Sequence, residues 1–275
     1  MKKILYSVLA LGLTLSAQAQ EAADKDFQAG IVLGAGMNFQ KMGTKAIESA
    51  GVGSDLTIGA NLNFSLTNTI AFNTGVEFDF DAIKFDYAQD GKPSIYYRYN
   101  DTEILQKGDT PNLATDSYFQ LANRSQKSVY LTIPTMLVFR TNFIGYFRYF
   151  GKFGLRNSFL LSTKSNDDGF NFGPGFTNGD DTKNEGMKAS RELAIFKSAV
   201  GLAGGAEWNF SGSTCLVAEI GYYYGFTPLY PWFRKADSDN ATLYTRKEEN
   251  GTLSDAYLIN KATQGQLMFK VSILF

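Results

Sequence analysis

The chain has 275 residues, with 26 Lys and Arg against 27 Asp and Glu, one cysteine and no histidine. The even charge balance removes nucleic acid from the expected partners. The single Cys215 excludes an intramolecular disulfide framework and reads as an inert strand residue. Aromatic residues make up 15% of the chain, 23 Phe and 15 Tyr, an excess in keeping with the interfacial girdles of a membrane barrel.

From the N-terminus, Lys2 and Lys3, the apolar stretch Ile4 to Leu15 and then Ala17-Gln18-Ala19 read as a secretory signal peptide over residues 1–19. This leaves residues 20–275 as one domain. No cysteine follows the cleavage region, so a lipoprotein anchor is not expected there. Beyond it, no apolar run approaches the ~20 residues that a membrane helix needs.

What does recur is two-residue alternation. Phe27 to Gln40 sets Phe27, Ala29, Ile31, Leu33, Ala35, Met37 and Phe39 against Gln28, Gly30, Val32, Gly34, Gly36 and Asn38. Ser54 to Leu66 repeats the pattern with Leu56, Ile58, Ala60, Leu62 and Phe64 on one face. The third strand sends Ile70, Phe72, Val76, Phe78 and Phe80 outward and Asn73, Gly75, Glu77 and Asp79 inward. Past Phe80 the apolar parity moves to Ile83, Phe85 and Tyr87, which predicts a bulge near the rim.

The fourth strand places Val129, Leu131, Ile133, Leu137 and Phe139 outward and Tyr130, Thr132, Met136 and Arg140 inward. Pro134 in its middle cannot donate to a ladder and predicts a bulge or a missing bond. The fifth, Tyr149 to Ser162, turns Lys152, Gly154, Arg156 and Ser158 inward, with Asn157 interrupting its outer face. The sixth, Ser198 to Phe210, turns Glu207 inward, the seventh Glu219, and the last Met268 and Lys270. Connections after strands two, four and six are short, around Asn68, Asn142 and Gly212, and the others are long.

Alternation together with loops sorted by parity predicts an all-β fold: a transmembrane, antiparallel, up-and-down β-barrel of eight strands in the outer membrane. Its turns would be short on the periplasmic side and its loops long outside. Closure of the first strand on the last would leave no sheet edge in hydrocarbon.

Several segments also resemble a known family. Tyr130-Leu131-Thr132-Ile133-Pro134, the glycine-punctuated Tyr149 to Leu155, the segment Gly201-Leu202-Ala203-Gly204-Gly205-Ala206-Glu207 and Glu219-Ile220-Gly221-Tyr222 are similar to the PorT-like outer-membrane β-barrel proteins of Bacteroidota. The resemblance implies an eight-stranded barrel and an outer-membrane address, and little about activity. Some relatives serve a secretion and gliding apparatus, which implies an envelope protein partner as an alternative role. The ending Val271-Ser272-Ile273-Leu274-Phe275 resembles the aromatic-terminated signal read by barrel-assembly machinery, a partner expected during biogenesis beside outer-membrane lipid.

Without histidine, the expected chemistry is not catalytic. Outer-membrane phospholipases, lipid A acyl-modifying enzymes and aspartate-histidine proteases are built around an imidazole that takes and returns a proton near neutrality. No cofactor or metal is expected either. The inward set Glu77, Asp79, Arg140, Lys152, Arg156, Glu207, Glu219 and Lys270 predicts a luminal charge network, because eight strands leave room only for side chains or one small ligand.

Among the loops, Tyr96, Tyr97, Arg98 and Tyr99 in the second, and Tyr230, Trp232, Phe233 and Arg234 in the last, are candidate binding residues of the aromatic-plus-arginine kind. Asn166-Asp167-Asp168-Gly169 and Gly179-Asp180-Asp181 read as solvated loop, since their spacing does not match an EF-hand. The expected function is a non-enzymatic structural or surface-binding barrel with a plugged lumen. The alternatives are a subunit of a secretion or envelope complex, or a narrow channel.

Overall fold

The computed structural model describes residues 26–87, 91–112, 114–176, 179–188, 192–211, 214–230, 239–249 and 252–275. The expected signal peptide lies outside them. Fourteen strands form among the described residues. They are β1 (Phe27–Met42), β2 (Glu48–Ser49), β3 (Gly53–Ser65), β4 (Ile70–Asp86), β5 (Ile95–Asn100), β6 (Glu103–Ile104) and β7 (Ser117–Arg140), followed by β8 (Phe147–Phe172), β9 (Asp180–Lys188), β10 (Phe196–Ser211), β11 (Thr214–Gly225), β12 (Leu243–Glu249), β13 (Thr252–Leu258) and β14 (Ala262–Leu274).

Antiparallel pairing runs β1 to β3, β4, β7, β8, β10, β11 and β14, and β14 pairs back onto β1 from Gly30↔Leu274 to Met42↔Ala262. The wall thus closes on itself, and its backbone groups find partners without water. The period of two decides which side chains face where. On β1, Ile31, Leu33 and Met37 are exposed, while Val32 and Asn38 are buried. The same parity exposes Leu56, Ile58, Phe78, Phe80, Phe153, Leu155, Leu202, Ile220 and Phe269 around the circuit.

The remaining six strands were not among the eight expected. They arise within the long connections: β2 pairs with β4, β5 with β7 and β12, β9 with β8, and β12 with β13. The segment Asn166-Asp167-Asp168-Gly169, expected as solvated loop, is instead the continuation of β8, a strand of 26 residues.

The bulge expected on β4 is absent. Its register with β7 is unchanged from Phe80↔Val129 to Asp86↔Asn123. Alternation there stays in phase, and Ile83, Phe85 and Tyr87 are simply inward. Register shifts lie elsewhere, where β7 passes Leu121 to Asn123 and where Val129↔Ser162 gives way to Tyr130↔Leu160. Opposite Pro134, the β4–β7 ladder skips from Thr74↔Thr135 to Glu77↔Thr132. That is the missing bond a residue without N–H imposes.

At the long-loop end a hydrophobic core fills the wall and its extensions, built from Ile83, Phe85, Tyr97, Phe119, Leu121 and Leu243 among others.

Candidate functional site

Two features stand out inside and above the wall. The first is a stack of ion pairs inside the closed wall. Nearest the short turns, the Arg148 guanidinium grips Glu207 at 2.7 and 2.9 Å. Next, Lys152 Nζ lies 2.6 Å from Glu219, and Lys270 Nζ lies 2.7 Å from Glu77. At the centre Arg156 donates to Glu77 and Asp79, each at 2.9 Å. The hydroxyls of Thr57 and Thr132 also donate to Asp79, at 2.6 and 2.5 Å. Above them Lys197 sits 2.6 Å from Asp81, and Gln266 donates to Asp55 at 2.7 Å.

All of these charged groups are buried. Such burial is tolerable because the lysines and arginines pair with Glu77, Asp79, Asp81, Glu207 and Glu219, while Asp55, with no cation partner among the described residues, is held by its hydrogen bond from Gln266. Two cavities within the packing, one beside Arg156 and Lys197 and one beside Asn73 and Lys152, have volumes of about 20 Å³ each, room for about one water.

The structure therefore brings together Glu77, Asp79, Lys152, Arg156, Glu207, Glu219 and Lys270. Arg140 takes a different place, donating to Ser65 Oγ at 2.6 Å and to the Asn68 carbonyl at 3.3 Å, where it braces a short turn. Sequence reasoning missed Asp55, Asp81, Arg148 and Lys197. Asp81, Arg148 and Lys197 continue the inward parity of their strands past the point where the expected pattern was stopped, and Asp55 lies on the inward parity within the expected second strand.

The second feature is the distal platform. Arg124 is the hinge pin of its interior, holding Asp167 through two bonds of 2.8 Å and Glu192 at 2.6 Å, and Glu192 accepts from Thr242 at 2.9 Å. Burial pushes the Arg124 guanidinium down, yet Asp167 and Glu192 together hold it well above its ordinary value. One cation thereby ties β7, β8 and two connecting segments to one point.

Of the loop candidates, Tyr97, Tyr99 and Tyr230 are buried. Tyr97 lies within 5.4 Å of the Arg124 guanidinium, and the Tyr99 hydroxyl donates to Asn171 at 2.7 Å. Arg98 donates to the carbonyls of Gln106 and Asp109. Trp232, Phe233 and Arg234 lie outside the described residues.

Tyr96 faces the other way and joins a patch in which Tyr118, Phe172 and Arg246 are half-buried and Tyr244 is buried. Its ring neighbours Tyr118, Phe172 and Tyr244 at 6.0 to 6.4 Å. Tyr118 and Phe172 stack at 4.9 Å, with the Arg246 guanidinium 4.0 Å over Tyr118. Only strand pairing assembles this patch, from residues of β5, β7, β8 and β12.

The family model described as Outer membrane protein beta-barrel domain matches residues 17–230. The chain belongs to this family. The protein is accordingly an outer-membrane β-barrel protein. No curated protein matches its sequence. Solved structures similar to it include Ail of Yersinia pestis in complex with the heparin analogue sucrose octasulfate, at 10% identity over 91% of this chain and 100% of that one, with a TM-score of 0.32. Others are OprG of Pseudomonas aeruginosa, at 8% over 94% and 98% with 0.39, and the outer membrane protease OmpT of Escherichia coli, at 9% over 94% and 99% with 0.38.

Proposed function

We propose that β1, β3, β4, β7, β8, β10, β11 and β14 are the eight membrane-crossing strands of a non-enzymatic, non-conducting anchor. In this reading the anchor presents a rigid extracellular platform to a binding partner. The short turns face the periplasm and the long, strand-forming connections face outside, as is usual for such barrels. Residues 1–19 are the export signal, and barrel-assembly machinery inserts the chain.

The observation that carries the reading is the continuous filling of the interior. Ion pairs from Arg148–Glu207 up to Lys197–Asp81 give way to the apolar core around Phe85 and Phe119. Among the described residues, the two cavities in the charged layer have room for about one water each. The platform's strands are paired before any partner arrives, so binding would cost little ordering entropy. The patch of Tyr96, Tyr118, Phe172 and Arg246 supplies the residue types that dominate binding hot spots.

The resemblance to PorT-like proteins favours a second reading, a subunit of an envelope or secretion complex whose partner is another envelope protein. A photo-crosslinking residue in place of Tyr118, used in intact cells, separates the two. A complex subunit yields one defined protein adduct, whereas an anchor for extracellular contacts yields one only when its outside partner is supplied. Planar-bilayer recordings of the folded protein are expected to be silent, and reproducible conductance steps would remove the non-conducting claim.

A further inference from the structure

Register places lysines opposite one another on the outer face of the wall. Lys127 of β7 pairs with Lys164 of β8, and Lys164 pairs in turn with Lys188 of β9. On the other side, Ala82 of β4 pairs with Lys127 and Lys84 with Ser125, so Lys84 is the diagonal neighbour of Lys127. Side chains directly opposite across an antiparallel pair stand about 5 Å apart at Cβ, and like charges in that position destabilise the sheet. All four lysines are exposed. None has a carboxylate within ion-pair distance among the described residues. Glu103, paired in register with Lys188, marks the far end of the row.

The row's height is as telling as its charge. Immediately below it on the same outward face are Phe80 of β4, Val129 and Leu131 of β7, and Phe159 and Leu161 of β8, with Phe80, Phe159 and Leu161 about half exposed. These are lipid-facing residues at the upper limit of the apolar belt. Above the row the outward residues are Asp86 and Asn123, which pair in register, then Asn166 and Asp168, the last paired with Lys183 at 3.5 Å. The lysines thus stand where hydrocarbon ends and head groups begin, with stems positioned to run down the apolar wall.

The β8 bulge is what puts Lys164 there. The parity of Phe153, Leu155 and Phe159 carried past Leu161 without a bulge would turn Lys164 inward and Asp167 outward.

We propose that Lys84, Lys127, Lys164 and Lys188 form a lateral binding site for phosphorylated glycolipid head groups of the outer leaflet, which supply the counter-charge the row lacks. The row points sideways into the leaflet and not into a cavity, so the occupant is a lipid phosphate. The site rests on the membrane placement and sidedness given above, and is independent of whether the platform binds a partner.

The test uses the full chain folded into phosphatidylcholine vesicles containing either lipid A or the same lipid with its phosphates removed. The protein is extracted in mild detergent and retained glycolipid is quantified by mass spectrometry. Wild type is expected to retain the phosphorylated form preferentially. Each lysine neutralised should lower that retention about fivefold, so Lys127→Gln with Lys164→Gln loses it, while Lys127→Arg with Lys164→Arg keeps it.

Heat-modifiable migration verifies folding of each variant. Equal retention of the two lipids by wild type alone overturns the proposal, as does unchanged retention in the folded Gln double variant. Both vesicle leaflets carry the lipid, so failure here leaves the sidedness untouched, which cysteine labelling at Ser125 in intact cells reads separately.

Discussion

The lower and upper halves of the same wall are filled differently. In the lower half the inward residues are Thr57, Glu77, Asp79, Thr132, Arg156 and Lys270, and the outward ones Ile58, Phe78 and Phe153. Above Phe80 the inward residues Ile83, Phe85, Phe119 and Leu121 form an apolar core around the buried Arg124 and Asp167, and the outward ones include Lys84, Asn123 and Lys127.

Strand geometry is continuous across the boundary, so the change reflects what lies outside. Against acyl chains, moving apolar area to the interior gains nothing, and the lumen is held by charges that satisfy one another. Against water, each buried Phe or Leu contributes about 1.5–3 kcal/mol, and an apolar interior becomes the stable one.

The sharpest way to break this comparison is to remove one cation from each half. Arg156→Met strands Glu77 and Asp79 in the lower lumen and is expected to cost about 3–5 kcal/mol, read as a lowered urea midpoint for the whole barrel in liposomes. Arg124→Met carries a similar local cost around Asp167 and Glu192. Its signature differs: limited proteolysis should cut the platform while the heat-modifiable barrel persists. Simultaneous collapse in both variants would mean that the halves are a single cooperative unit.

Core truncation comes next. Phe119→Ala empties the platform interior and is expected to cost about 3–5 kcal/mol, with the same proteolytic signature. An outward arginine then probes the boundary itself. Ile58→Arg should cost roughly 2–4 kcal/mol if Ile58 is near the bilayer midplane, and Asn123→Arg should stay within about 0.5 kcal/mol, as exposed substitutions do. Equal penalties would place the hydrocarbon edge higher than the residues indicate.

The smallest effect is on pH. Burial pushes the hydroxyls of Tyr97 and Tyr230 well above the ordinary tyrosine range, and that of Tyr87 in the same direction. These groups stay neutral in the folded platform, whereas unfolded tyrosines ionise near pH ~10. Their contribution is therefore complete below that pH and lost as the pH rises above it. Ultraviolet difference absorbance should show a late tyrosinate phase that coincides with the onset of platform proteolysis.

Much of the lower wall is legible in sequence because its period and its polarity agree. Leu56, Ile58 and Phe64 alternate with Thr57, Asn61 and Asn63, and the structure keeps that phase. The inward charges Glu77, Asp79, Arg156 and Lys270 follow from parity alone.

Ile83, Phe85 and Tyr87 show where such reading stops. An apolar residue on the wrong parity looks like a slipped register when the outside is assumed to be lipid throughout, but here the register holds and the surroundings change. Asp167 was unreadable for a different reason. The bulge beside Leu161 resets parity, and no residue type announces it.

Alternation of apolar and polar residues by itself determined that this chain forms strands, which faces meet lipid and which charges turn inward, because side-chain direction along a strand is a local property. Tertiary pairing alone decided that the long connections become β2, β5, β6, β9, β12 and β13, that Arg124 finds Asp167 43 positions away, and that Lys127, Lys164 and Lys188 stand in one row. Contacts of that kind depend on which strands become neighbours and on where a bulge shifts the register, and both are settled only when the sheet closes.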